Sequence, residues 1–305
     1  MQKSKTFGNL ILLVTSIIWG IAFVFQRSGM DSIEPITFNA ARMTCGAIFV
    51  TLISFFLDTK RKVNRQSTDT KQPSRIKSTI LAGVICGVLL TAASTVQQIG
   101  LVHTSAGKAG FITAMYMLFV PIFNFLIFKE KGSAKIWIAI ALGIAGMYLL
   151  CMNEGIAFTD GDLLILICAL LFSGHILCCD KFAKNCDPVK ISAIQFITAS
   201  VLSSILALLT EVPSIDKVLS AAVPILYCGL ISGGIGYTLQ IVGQKYTDPS
   251  SASLLMSLES VFALIAGVLM LGEKMTPREL IGCAIMFIAI ILVQLPNIKK
   301  TTPKQ

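Results

Sequence analysis

The sequence predicts an all-α integral membrane protein with ten transmembrane helices arranged as two inverted five-helix repeats. Of its 305 residues, 54% are hydrophobic and only 13% are charged, whereas an average soluble domain has about 25% charged residues. Apolar runs of about 20 residues recur ten times, and each is long enough to cross a hydrocarbon core of about 30 Å. One long stretch of the chain also occurs twice.

The ten predicted spans follow one another with mostly short polar connections. Unpaired backbone groups cost several kcal/mol each in lipid, and the runs lack the alternation of barrel strands, so each run is predicted to be a helix. The long connection at 58–77 is rich in lysine and arginine, and we interpret it as a solvated loop at an anionic membrane surface rather than a regulatory lipid site. The spans lie approximately at 8–27, 36–57, 78–101, 106–128, 134–152, 160–180, 189–210, 218–243, 250–271 and 276–295.

The repeated stretch runs from residue 97 to 131 and matches residues 240–274 without a gap. Nine of its 35 positions are identical at a shift of 143, including Gln97 with Gln240. Shared apolar composition produces false matches easily, but it does not explain the identical polar and glycine positions. Weak internal symmetry in a hydrophobic chain indicates a transporter built from repeats.

A shift of 153 positions extends the repeat toward the N-terminus, where it aligns Gly8 with Gly161. The predicted repeats therefore cover residues 8–152 and 160–295, with five helices each. Because five is odd, the two repeats must cross the membrane in opposite senses. Inverted repeats of this kind place a substrate site between the halves.

The distribution of positive charge predicts the orientation in the membrane. With the N-terminus inside, nineteen lysines and arginines fall on the inner side and five on the outer side. This bias predicts a plasma (inner) membrane protein with both termini cytoplasmic. The net charge of +9 is spread over short loops between apolar runs, so nucleic acid is not an expected partner.

Several function classes find no support in the sequence. No Gly-rich loop ends in Gly-Lys-Ser or Gly-Lys-Thr, which argues against an ATP-driven pump. Two histidines and no paired membrane carboxylates leave little for an enzyme to use. The nine cysteines show no paired CxxC spacing that would make a zinc site or a disulfide framework, and no cofactor is predicted. His175, Cys178 and Cys179 have a spacing that could hold a soft metal, but without a second cluster we favour packing or cavity lining.

Two charged residues lie inside predicted spans. Glu259 is near mid-span, where a buried charge costs about 2.5–3.5 kcal/mol, so it should face protein or a water-filled cavity. A functional carboxylate and a neutral structural one that bonds a neighbouring helix are equally open interpretations. Arg42 lies in the second span; we favour a structural cation over an anion-binding group. Neutral polar residues in the spans either hold helices together or line a cavity; they include Asn39, Gln97, Tyr116, Asn124, Tyr237 and Gln240.

Short motifs occur in both halves of the chain. In the first half these are residues 18–20 with Phe23, residues 34–35 with Phe38 and Arg42, and the stretch 109–121. In the second half they are residues 258–263 and 271–273. With these motifs the chain resembles the EamA-type permeases of the drug/metabolite transporter superfamily, whose pattern usually has proline where this chain has Ser260. In combination the motifs are specific, and the match covers nearly the whole chain.

The resemblance implies a central substrate cavity lined mainly by helices 1, 3, 4, 6, 8 and 9. Carried over to this sequence, it implicates Trp19, Gln97, Tyr116, His175, Tyr237, Gln240 and Glu259 in substrate binding. We interpret Arg42, Asn39 and Asn124 as structural polar residues.

The expected function is secondary transport, most simply export, of small metabolites such as amino acids by alternating access. The expected partners are a small-molecule substrate, the lipid bilayer and a coupling ion, with protons among the candidates. The alternative is a non-transporting membrane protein, such as a sensor, a scaffold or a lipid-handling partner subunit.

Overall fold

The protein is all-helical throughout the part of the chain that the computed structural model describes. The described residues are 2–64, 73–104, 106–129, 134–151, 159–271 and 276–294. Residues 65–72 of the basic connection, and the ends of the repeated stretch at 130–131 and 272–274, lie outside them. The helices are α1 (Gln2–Gly29), α2 (Pro35–Asn64), α3 (Pro73–Val102), α4 (Ala106–Ala114), α5 (Tyr116–Phe128), α6 (Ala134–Cys151), α7 (Asp160–Ala183), α8 (Pro188–Thr210), α9 (Ile215–Ser220), α10 (Ala222–Leu226), a π-helix (Tyr227–Tyr237), α11 (Thr238–Gln244), α12 (Pro249–Met256), α13 (Glu259–Leu271) and α14 (Pro277–Gln294).

Eight helical segments in the described residues are long and apolar enough to cross a membrane. Three of them join consecutive helices: α4 with α5, α10 through the π-helix to α11, and α12 with α13. Two further apolar helices, α6 and α14, pack against each other and have shorter apolar cores. The all-helical membrane class is therefore confirmed, and the count of ten spans stays a prediction.

Helices α2 and α8 form an antiparallel pair that is bonded at both ends. At one end the Glu211 carboxylate accepts hydrogen bonds from the backbone N–H groups of Ile36 (3.0 Å) and Thr37 (2.6 Å). At the other end Lys190 donates to Asp58 at 2.5 Å. Thr37 and Lys190 are 153 positions apart, and so are Asp58 and Glu211. The shift that aligns the two halves of the sequence therefore exchanges the two contacts.

Two of the joined segments are interrupted at equivalent places. One break is at Met115, between α4 and α5, and the other at Leu258, between α12 and α13; the two residues are 143 positions apart. Pro121 in α5 lacks a backbone donor, which weakens the turn before it. In the second copy, Ser257 and Ser260 each donate to a backbone carbonyl three residues earlier at 2.8 Å, a bonding pattern that bends helices. The second break thus forms without the proline of the family pattern.

The contacts at the two ends of the α2/α8 pair differ in strength. Glu211→Ala removes a charged acceptor from two backbone donors and the Thr37 hydroxyl. We expect this change to lower the free energy of unfolding by about 1–3 kcal/mol, because hydrogen bonds to charged groups contribute about that much. Asp58→Ala, which removes only the partly exposed ion pair to Lys190, should cost less than about 1 kcal/mol. Thermal unfolding in detergent compares the two, and an equal loss would contradict the prediction.

Candidate functional site

A cavity lined by residues of both halves lies among the helices. Its wall combines apolar side chains with a few polar ones, one carboxyl group and one guanidinium. The lining residues are Trp19, Ala22, Phe23, Gln26, Arg42, Gln97, Thr113, Tyr116, Phe172, Ile176, Ser232, Tyr237, Gln240 and Glu259.

The two helix breaks bring Tyr116 and Glu259 to this cavity. Tyr116 is the first residue of α5, and Glu259 is the first residue of α13. The two residues are 143 positions apart in the sequence, so they occupy equivalent places in the two copies. Both side chains are buried, with exposed fractions of 2% and 3%. The repeat thus places a phenol in one copy where the other has a carboxyl group.

Three lining side chains have buried polar atoms without a hydrogen-bond partner among the described residues. These atoms are the Tyr116 hydroxyl, Oε1 of Glu259, and both amide atoms of Gln240. Gln240 differs in this respect from the buried Gln98 and Gln195, each of which has one bonded amide atom. An unsatisfied buried polar atom costs about 1–3 kcal/mol. Such atoms on one cavity wall indicate a place where a polar ligand or water binds, although the Tyr116 hydroxyl and the Glu259 carboxyl are also close enough to interact with each other.

Arg42 supplies a buried cation to the same cavity. Its Nε donates to Asn39 Oδ1 at 2.9 Å, and its Nη1 donates to Gln26 Oε1 at 2.8 Å. Asn39 is in turn fixed by its Nδ2, which lies 3.2 Å from the hydroxyls of Ser94, Thr95 and Ser203. No salt bridge to Arg42 occurs among the described residues. A guanidinium has five N–H donors, and the two amide oxygens accept from only part of this set. They hold Arg42 in place but do not neutralise its charge.

An aromatic wall joins the first helix to the π-helix. The Trp19 indole N–H donates to the Ser232 carbonyl at 3.2 Å. The rings of Trp19 and Tyr237 are tilted by 51° with centroids 4.7 Å apart. On another part of the wall, Gln97 donates to the Thr113 hydroxyl at 3.2 Å. The lining is therefore fixed by contacts between helices rather than by single side chains.

Six of the seven predicted substrate-binding residues line the cavity, and His175 does not. His175 is fully buried behind Tyr237, with the two rings edge to face and 5.8 Å apart. Its Nε2 lies 3.1 Å from Gln195 Oε1 and 3.5 Å from Cys179 Sγ. Helix α7 presents Phe172 and Ile176 to the cavity, whereas the His175 ring contacts Gln195, Cys179 and Tyr237. Among the described residues no group of three or more histidine, cysteine or acidic side chains could hold a metal ion.

The three residues interpreted as structural have different surroundings. Arg42 lines the cavity, although the sequence led us to interpret it as a structural residue rather than a cavity-lining one. Asn39 is fully buried next to Arg42, where it contacts three hydroxyls. Asn124 is buried in α5 and does not line the cavity.

Sequence reasoning missed Gln26, although a signal for it exists. Trp19, Ala22, Phe23 and Gln26 are spaced by three, four and seven residues, and all four line the cavity. This spacing places them on one face of a helix. Following the face that starts at Trp19 would have led to Gln26.

Helices long and apolar enough to cross a membrane, with a cavity among them that has polar lining residues, are typical of a membrane transporter. Proteins similar to the chain are also named as transporters. The model of the EamA-like transporter family matches residues 6–152 and again residues 159–295. The chain therefore belongs to the EamA-like transporter family.

The relatives match over nearly their whole length. An uncharacterized transporter of Archaeoglobus fulgidus is 28% identical over 95% of this chain and 87% of its own length. The uncharacterized inner membrane transporter YedA of Escherichia coli is 25% identical over 96% of this chain and 92% of its own length. One crystal structure has the same fold, with a TM-score of 0.74, 19% identity, and coverage of 94% of this chain and 96% of that one. The protein is an integral membrane transporter.

Gly20 allows α1 to approach the carboxyl side of the cavity. A Cβ atom at Gly20 would lie 2.5 Å from Phe262 Cβ and 2.8 Å from the Glu259 carbonyl oxygen. We expect Gly20→Ala to lower the free energy of unfolding by about 1–3 kcal/mol, because overpacking forces the helices apart. Gly110→Ala is the matched control, since its Cβ would meet its nearest neighbours at an ordinary 3.4 Å. Thermal unfolding in detergent measures both, and an unaffected Gly20→Ala variant would contradict the close contact.

Proposed function

We propose that the protein is a secondary transporter of small zwitterionic metabolites such as amino acids. One observation carries this proposal: a single cavity is lined by an unneutralised cation, Arg42, and a carboxyl group, Glu259. The two groups form no salt bridge with each other in the described residues. A solute with both an ammonium and a carboxylate group would complement both sides of such a cavity.

The buried polar atoms without hydrogen-bond partners favour one orientation of the bound solute in the cavity. Oε1 of Glu259 and Oε1 of Gln240 are acceptors without donors, and an ammonium group supplies three donors. Arg42 supplies donors on its part of the wall, and a guanidinium matches the geometry of a carboxylate. The proposed solute places its ammonium group near Glu259 and Gln240 and its carboxylate near Arg42. The aromatic pair Trp19 and Tyr237 then faces the apolar part of the solute.

Transport requires access from both membrane faces in turn, and paired contacts support two equivalent gates. Toward the start of α7, Thr104 donates to Asp162 Oδ1 at 3.0 Å. Toward the start of α1, Thr247 donates to Asn9 Oδ1, also at 3.0 Å. Thr104 and Thr247 are 143 positions apart, and Asn9 and Asp162 are 153 positions apart. In the proposed mechanism, inverted repeats at 8–152 and 160–295 open one of these contacts while the other stays closed.

The two contacts differ in charge. Asp162 also accepts from Lys108 Nζ at 2.5 Å, and both side chains are largely buried. With both termini cytoplasmic, as the excess of positive charge favours, the ion pair lies on the outer side. Export of the solute would then include breaking this ion pair. Protons are the coupling ion that we favour, because Glu259 is a carboxyl group in the cavity wall.

Flux into proteoliposomes tests the proposal directly. We expect L-leucine and L-phenylalanine to cross faster than in empty vesicles, and faster than the dication putrescine or the dianion succinate. Arg42→Gln should reduce amino acid flux about tenfold or more, the effect of losing roughly 1.4 kcal/mol of charge-assisted bonding. Arg27→Gln, which changes an exposed cation of α1, is the control. If neither amino acid exceeds its rate in empty vesicles, the proposal fails.

A second experiment tests whether Glu259 takes part in coupling. Glu259→Gln keeps the size of the side chain and cannot be ionised. We expect the variant to lose the pH dependence of amino acid flux and its stimulation by an imposed proton gradient. The measurement is initial flux across a pH series, with and without the gradient. An unchanged pH profile would mean that the carboxyl group has a packing role only.

A further inference from the structure

The two halves differ by one residue within the third helix of each repeat. In the first half, a Cβ atom at Gly87 of α3 would lie 2.6 Å from Thr198 Cβ and 2.7 Å from the Gln195 carbonyl oxygen. In the second half, a Cβ atom at Gly229 would lie 2.7 Å from Cys45 Cβ and 2.8 Å from the carbonyl oxygen of residue 42. Cys45 and Thr198 are 153 positions apart, as are residues 42 and 195. Gly87 and Gly229 are therefore equivalent points in the two halves.

A second pair of equivalent points lies further along the same helices. A Cβ atom at Gly100 would lie 3.0 Å from the Gly161 carbonyl oxygen, and one at Gly243 would lie 3.2 Å from the Gly8 carbonyl oxygen. Gly243 follows Gly100 by 143 positions, whereas Gly229 follows Gly87 by only 142. The second half therefore has 14 residue steps between its two contacts and the first half has 13.

The additional residue falls in the stretch that contains the π-helix. The equivalent part of the first half is continuous α-helix in α3, and 13 steps of α-helix span about 20 Å. Because the two contacts fix the same span in the second half, the extra residue has to be taken up as wider turns. Tyr227–Tyr237 is π-helical over 11 residues, and π-helical turns are frequent at functional sites.

The wider turns hold the aromatic wall of the cavity. The Ser232 carbonyl, within the π-helix, accepts from the Trp19 indole at 3.2 Å. A Cβ atom at Gly236 would lie 2.7 Å from Trp19 Nε1. Tyr237 packs on the Trp19 ring, whereas Ser94, its counterpart 143 positions earlier, contacts Asn39 instead. The asymmetry of the wall thus begins where the π-helix ends.

We propose that this single additional residue, held as a π-helix, positions Trp19 and Tyr237 and thereby sets which solutes the cavity accepts. The part of the proposal that concerns solutes rests on the proposed transport function. The positioning part concerns the geometry of the protein alone. In this proposal the side chains of Trp19 and Tyr237 face the solute, and the π-helix affects specificity only by positioning these two side chains.

Deletion of Ile231 tests the proposal, because this residue is partly exposed on the π-helix. The shortened segment has the same 13 steps as the first half and can return to α-helix. We expect the variant to fold and to melt no lower than the parent protein. Deletion of Val88, an exposed residue at the equivalent level of α3, is the control. It removes a residue from a helix that has none to spare, so it should melt lower or fail to fold.

Trp19 itself reports on the wall, since the chain has only two tryptophans. In a Trp137→Phe background, which removes the exposed tryptophan of α6, all indole emission comes from Trp19. We expect deletion of Ile231 to shift this emission and to increase its quenching by acrylamide several-fold. Among solutes, the ratio of L-phenylalanine to L-leucine flux should change by about threefold or more, a difference of roughly 0.6 kcal/mol.

A single substitution tests the positioning of Trp19 without shortening the chain. Gly236→Ala forces the Trp19 indole to move and should change emission and quenching in the same direction. Gly107→Ala is its control, because a Cβ atom there meets nothing within 4 Å. Unchanged Trp19 emission in both the deletion and Gly236→Ala, or equal instability of the Ile231 and Val88 deletions, would overturn the positioning. Changed emission with an unchanged flux ratio would overturn the link to specificity, whereas absence of amino acid flux in the parent protein would instead overturn the transport proposal.

Discussion

The bundle depends on one constraint: inside a membrane, backbone polar groups that leave a regular helix must be buried in protein or line a water-filled cavity. The interrupted helices at Met115 and Leu258 satisfy this constraint because Leu258 is buried and Met115 is partly buried in the bundle. A related constraint keeps the charged Arg42 among amide side chains rather than toward lipid. The cavity therefore lies where irregular backbone and polar side chains can be kept away from lipid.

The two halves share their contacts but not their chemistry. The α2/α8 pair is closed by an ion pair at one end and by a carboxylate on backbone donors at the other. Tyr116 and Glu259 occupy equivalent places but carry different chemical groups. The counterpart of α3 in the second half also contains one additional residue. The two halves thus have equivalent packing, while their unequal side chains give the cavity a defined polarity.

The apolar helical segments and the internal repeat could be predicted from the sequence. The length of an apolar run follows from composition, and the shift between the repeats follows from positions that are identical in both. Six predicted binding residues line the cavity because they are polar or aromatic side chains within apolar helices. His175 met the same criterion, but the turn of α7 that presents Phe172 directs it behind Tyr237. The π-helix could not be predicted, because a one-residue difference appears only when contacts fix which residues are equivalent. The cavity-lining position of Arg42 was not predicted, because the sequence alone does not show that Gln26 of α1 contacts it.

The bonded ends of the α2/α8 pair have a consequence for the surrounding lipid. From Thr37 to Asp58 the helix rises over 21 residues, or about 32 Å at 1.5 Å per residue. This length is close to the thickness of a bilayer's hydrocarbon core, about 30 Å. Because both ends are fastened, the pair cannot shorten or slide when the bilayer thins. In a membrane of different thickness, the adjustment falls on lipid packing around this pair and on the tilt of the other helices.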